Sequence, residues 1–165
     1  MNKKIENKKG FTLVEVLVYV GIFSISISAV INYFLILNTI NNKNILISKL
    51  ENDSRFIFSV VENKIFDAGD VIFPESGQAS SSLILFKNNE DNLYFQEIDN
   101  GLYLKSGKNI AHRLTSPDIL INDLEFNVSG EGDKNIKISF LLENKKNNSK
   151  DFMYKRKFYN SFTIR

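Results

Sequence analysis

The chain has 165 residues, 43% hydrophobic and 24% charged, proportions that fit one ordinary folded unit and exclude a disordered chain or a multidomain assembly. With no cysteine it has no disulfide framework, thiolate metal centre or cysteine nucleophile, and its one histidine, His112, leaves little imidazole chemistry. Twenty-one basic against 19 acidic residues is too even a balance for a strongly basic nucleic-acid partner.

Hydrophobicity is concentrated near the N-terminus. Residues 1–10 form a short basic leader in which Lys3, Lys4, Lys8 and Lys9 face only Glu6. From Phe11 to Leu37 there is one acid, Glu15, and one later side-chain amide, Asn32. Residues 16–37 carry no charge and at about 1.5 Å each span about 33 Å as a helix, enough for a hydrocarbon core of about 30 Å. Lysines before this stretch, with no basic cluster just after it, predict a cytoplasmic N-terminus and an exported remainder. A secretory signal would have an apolar region of about 7–15 residues ending in small residues; here the run continues into Asn38, Thr39 and Ile40. An unprocessed single-span anchor accounts for the length, but not for an acid at Glu15, because carboxylates near a bilayer usually have partners.

The string Lys9-Gly10-Phe11-Thr12-Leu13-Val14-Glu15, followed by about twenty apolar residues, resembles the processing signal of type IV prepilins and of type II secretion pseudopilins. The resemblance implies that a membrane peptidase cuts between Gly10 and Phe11 on the cytoplasmic side and that the new Phe11 amine is methylated. Glycine, the least bulky residue, suits a narrow scissile site. The resemblance also implies that Glu15 neutralises the N-terminal amine of a neighbouring subunit, acting as an assembly pin. Loss of the leader takes four lysines and one glutamate, leaving 17 bases and 18 acids, so the formal charge goes from +2 to −1. The partners implied are other pilins or pseudopilins, the prepilin peptidase, membrane lipid, an inner-membrane platform protein and an assembly ATPase.

After Leu37 a polar stretch, residues 38–44, has poor helix propensity but no Gly or Pro. Beyond it Ile47, Leu50, Ser54, Ile57, Val61 and Ile65 fall at three- and four-residue steps, the stripe of an amphipathic helix, and Ala68-Gly69 supplies a stop. One long helix from Phe11 to about Ala68 follows: a membrane half over 11–37 and an amphipathic half within 38–69. Major pilins commonly carry a helix-kinking proline in the membrane half; Asn32 stands here instead, and minor pilins and pseudopilins often lack that proline.

From Asp70 to residue 165 the pattern becomes that of strands. Ser82–Lys87, Leu93–Ile98 and Leu102–Lys105 are short apolar runs, with Asp99-Asn100-Gly101 a hairpin signal. Alternation returns at Leu124, Phe126 and Val128, at Ile136, Ile138, Phe140 and Leu142, and from Phe152 through Tyr154, Phe158 and Phe162 to Ile164, with Arg165 ending the last strand. Pro74–Ser82 reads as a polar loop. The fold class expected is α+β, pilin-like: a long N-terminal helix packed on a curved antiparallel sheet, similar in strand order to J-type pseudopilins and W-type minor pilins.

No catalytic constellation emerges. His112 has only Arg113 beside it; Ser80, Ser81 and Ser82 lack a nucleophile elbow; Asp118, Asp123 and Glu125 lack the spacing of an EF-hand for calcium. No enzyme, cofactor or metal is expected. Lys145, Lys146, Lys150, Lys155, Arg156 and Lys157 form the one basic concentration of the head, and with Tyr154, Phe158 and Tyr159 they offer a contact to single-stranded DNA. The opposed reading is a solvated hairpin with aromatics inward and lysines discouraging edge pairing. The function expected is a structural minor pilin or pseudopilin that primes or supports filament assembly in motility, secretion or competence. The alternatives are a DNA-binding or adhesive pilin and an unprocessed single-span protein.

Overall fold

The computed structural model describes residues 10–87, 91–130, 133–145 and 154–164. Leader residues 1–9, and with them Lys3, Lys4, Glu6, Lys8 and Lys9, lie outside the described residues, as do Lys146, Lys150, Phe152 and Arg165. The chain divides into two compact units between Asn42 and Lys43.

Through residue 42 the structure is the first part of helix α1 (Leu13–Phe66). The helix is long and apolar enough to cross a membrane, and every described side chain up to Asn42 is exposed. Its hydroxyls are satisfied within the helix. Ser24, Ser26, Ser28 and Thr39 donate to the carbonyls of Val20, Ile22, Ser24 and Leu35 at 2.8, 2.9, 2.9 and 3.0 Å. That is how hydroxyls are accommodated on a helix that has no water to bond.

From Lys43 onward the rest of α1 carries the apolar stripe. Leu50, Ser54, Ile57, Val61 and Ile65 are buried, while Ile47 is half-buried near the stripe's start. The helix ends at Phe66, two residues before the expected stop. The Gly69 N–H then leaves helical bonding and donates to the Phe86 carbonyl at 2.9 Å. Among the described residues nine strands follow: β1 (Asp70–Phe73), β2 (Ala79–Ser80), β3 (Ser82–Phe86), β4 (Leu93–Ile98), β5 (Gly101–Ser106), β6 (His112–Arg113), β7 (Ile119–Ser129), β8 (Lys134–Asn144) and β9 (Lys155–Ile164).

These strands build two antiparallel sheets where the strand runs alone suggested one. The first has the order β1-β3-β4-β5-β6 and the second β2-β7-β8-β9. Their buried residues and the helix stripe make a single apolar core. Phe95 of β4 meets Phe126 of β7 at 6.4 Å between ring centroids, and Phe58 of the helix meets Phe140 of β8 at 5.2 Å. Alternate residues point to opposite faces of a strand, so each apolar run faces the core without declaring which sheet it joins.

Two other expectations need correction. The segment Pro74–Ser82 is not all loop, because Ala79 and Ser80 pair with Asn127 and Phe126 of β7. β7 also starts five residues before Leu124. A bulge between Asn122 and Glu125, with Asp123 at φ 50°, shifts the buried set from Ile119 and Ile121 to Leu124, Phe126 and Val128. The extra residue breaks period-two alternation, which hides the first half of the strand from a pattern reading.

Candidate functional site

The site begins outside the helix. Gly10 is exposed, and a Cβ built on it would meet nothing within 4 Å, so the Gly10–Phe11 peptide is open on the side of the scissile residue. Phe11 is also exposed, its ring edge-on to Tyr19 at 6.3 Å between centroids.

Thr12 sets the helix start. Its backbone N–H and its hydroxyl both donate to Glu15 Oε2, at 2.9 and 3.0 Å, and the Glu15 N–H reaches back to the Thr12 hydroxyl at 3.3 Å. The Thr12 carbonyl receives the first helical bond, from the Val16 N–H at 3.3 Å. This is a capping box, in which a hydroxyl residue and an acid three positions on satisfy each other's orphan backbone donors. It supplies within the chain the partner that a plain anchor was expected to lack. The spacing Thr12-x-x-Glu15 was the signal that could have found it. Only Oε2 is engaged: among the described residues Glu15 Oε1 accepts no hydrogen bond.

The candidate residues of the head are not brought together. His112 is exposed on the short edge strand β6, opposite Leu104. Ser80 and Ser82 hydroxyls lie 3.3 Å apart where β2 passes into β3, a turn contact. Asp118 is ion-paired with Lys49 at 3.0 Å, Asp123 occupies the bulge, and Glu125 lines a shallow outer-face cavity of about 270 Å³ with Lys137, Lys157 and Tyr159. No group of three or more acids, histidines or cysteines able to hold a metal occurs among the described residues.

The basic group is divided as well. Arg156 is exposed but engaged, 2.6 Å from Glu51 and over the Phe158 ring. Lys155 and Lys157 are exposed, and Lys145 is exposed with its backbone N–H bonded to the Asp118 carbonyl at 2.7 Å. Of the three aromatics expected for base stacking, Tyr154 and Phe158 are half-buried against the core and Tyr159 alone is exposed.

The family model for the prokaryotic N-terminal methylation motif matches residues 6–31. The chain therefore carries a type IV pilin-like prepilin signal, and with its apolar helix this marks a membrane-anchored protein of structural type. The match takes in the Gly10–Phe11 junction, the capping box and the helix as far as Ile31, and leaves the head outside it. No curated protein and no solved structure matches the chain.

Proposed function

We propose that this protein is a minor pilin or pseudopilin: inserted once through the cytoplasmic membrane with its head outside, cut between Gly10 and Phe11, methylated on Phe11, and built into a filament. The division is a leader over 1–10, a membrane half over 11–37, an amphipathic half over 38–69 and a head over 70–165. One observation carries the reading. The motif at residues 6–31 coincides with an exposed, non-helical Gly10–Phe11 junction directly before a capped helix whose residues 16–37 carry no charge.

Hydrolysis there removes the four leader lysines and Glu6 and exposes an ammonium on Phe11. Glu15 has a second role available. Oε2 holds its own helix start through Thr12, while Oε1 is free for the cationic terminus of an adjoining subunit. Two opposite charges that meet at a membrane interface attract far more strongly than in bulk water. An arriving subunit whose carboxylate reaches its neighbour's terminus is thereby held at one register. The continuity of α1 through Asn32 supports a minor role over that of a bulk fibre subunit. The other partners are the processing peptidase and, through the filament, a platform protein and an ATPase.

DNA capture is less well supported. Among the described residues, Arg156 is taken up by its ion pair with Glu51 and Lys157 lies beside the carboxylate of Glu125, which does not favour a continuous phosphate-binding surface. The test of the main reading is the intact mass and N-terminal sequence of protein from cells. A chain beginning at methylated Phe11 is expected, and Gly10→Val should accumulate the leader-bearing precursor. A fully active chain that still starts at Met1 would overturn the proposal.

A further inference from the structure

Between residues 16 and 37 the polar side chains are three serines, two tyrosines and one amide, Asn32. The serine hydroxyls at 24, 26 and 28 bond carbonyls of their own helix. The Asn32 side chain makes no hydrogen bond among the described residues and is exposed. It lies about 8 Å along the helix from the middle of the uncharged stretch, so it falls inside a hydrocarbon core of about 30 Å. A carboxamide there has two donors and two acceptor lone pairs, and neither lipid nor its own helix satisfies them.

The surroundings of Asn32 on the helix say what can reach it. At 100° per residue, Gly21, Ser24 and Ser28 lie within about 60° of one line that also passes through Asn32 and Thr39. Gly21 has nothing within 4 Å of where a Cβ would stand. Small side chains on this line allow a second helix to approach closely enough for an amide to bridge the gap. A carboxamide is self-complementary, since the N–H of one can donate to the C=O of another. Copies of one chain inserted in the same direction place this amide at the same depth, which no unrelated helix guarantees.

We propose that, before filament assembly, two copies of this chain pair in the membrane through the Gly21–Ser24–Ser28–Asn32 face, with the Asn32 carboxamides hydrogen-bonded to each other. This rests on the membrane-span part of the proposed function, and it is distinct from the Glu15 contact, which joins a carboxylate to a terminus. The pair would hold the subunit in the bilayer as a dimer until another contact replaces the amide bond.

The absence of cysteine lets single-cysteine variants of the full chain report position without background. The chain is expressed in a bacterial membrane without other pilins or assembly proteins, and the membranes are oxidised. Gly21→Cys, Ser24→Cys and Ser28→Cys should give disulfide dimers, whereas Ile22→Cys, Ser26→Cys and Tyr33→Cys, on the opposite side, should not. Adding Asn32→Leu to Ser28→Cys should lower the dimer-to-monomer ratio by about five- to thirty-fold at limiting expression, and Asn32→Gln should largely retain it. Cross-linking that is absent, equal on all sides or indifferent to Asn32→Leu overturns the inference. Retention of the chain in membranes after an alkaline wash reads the span separately. A chain that is retained but does not pair refutes only the dimer, while one that washes off refutes the span and the dimer together.

Discussion

Asp53 closes a long-range polar clasp between the helix and the loop ahead of β7. Its carboxylate accepts the Ser116 backbone N–H and the Ser116 hydroxyl, both at 2.8 Å, across 63 residues of sequence. Asp53→Ala removes both bonds and leaves a partly buried backbone donor without its acceptor. A hydrogen bond to a charged group contributes about 1.5–3 kcal/mol net, and water can reach part of this site, so the loss should be about 2–3 kcal/mol. Asp53→Asn is the informative control. Its Oδ1 can still accept the N–H and its Nδ2 can donate to the hydroxyl, so it should cost less than about 1 kcal/mol. Urea unfolding of the detergent-solubilised full chain, followed by far-ultraviolet circular dichroism, measures both. An alanine variant within about 0.5 kcal/mol of the parent would refute the clasp. An asparagine variant as damaged as the alanine one would show that charge, and not the two bonds, is what matters.

Glu15→Gln keeps an acceptor for Thr12 but loses the charge, so it should be inserted and processed normally yet be depleted from sheared filaments; incorporation at parental levels would refute the assembly pin. Glu97 is a pH-sensitive group of the head: burial, and then the nearby charge of Asp123, raise its carboxyl above the ordinary range. The folded state therefore holds that proton more tightly than the unfolded chain, and stability falls as pH rises from the ordinary glutamate value through the raised one. Glu97→Gln should accordingly be more stable than the parent at pH 7 and lose that advantage near pH 4, as thermal unfolding at the two pH values would reveal. Asn100 sits at φ 54° in the β4–β5 turn and donates to Asn122 Oδ1 at 3.0 Å. Asn100→Val should cost about 1–2 kcal/mol from the left-handed backbone alone, and Asn100→Gly much less, again by urea unfolding.

Much of this was legible because the physics is local. The stripe from Leu50 to Ile65 follows from helical period, and the turn at Asp99 and Asn100 follows from two residues that tolerate positive φ before Gly101. Gly101 also suits its place for a less local reason, since a Cβ there would come within 2.9 Å of Arg113 Nε and that side chain would have to shift. The division into two sheets was hidden, because Phe95 and Phe126 carry the same apolar signal whichever sheet they join. The bulge at Asp123 broke the alternation that would have disclosed Ile119 and Ile121 as core residues. At the site, Gly10, Phe11 and Glu15 are legible through their spacing, whereas the cap made by Thr12 is hidden inside that same string, where Thr12 reads as one more motif residue. Within β9 the basic residues are shared between two faces, Arg156 with Phe158 on one and Lys155 with Lys157 on the other, a property that a count of lysines does not carry.

The ion pair between Glu51 and Arg156 has a consequence for how the head is made. Its two partners are 105 residues apart in sequence. At about 5–20 residues per second, a ribosome delivers the second about 5–20 s after the first. Over that interval β9 is missing, and with it Phe162, whose ring lies 6.5 Å from that of Phe58, so the core is not closed on that side of the helix. Newly made subunits should therefore be most vulnerable to sticking and to proteolysis just before their last strand emerges, and a stop codon a few residues early should be far more damaging than its position suggests.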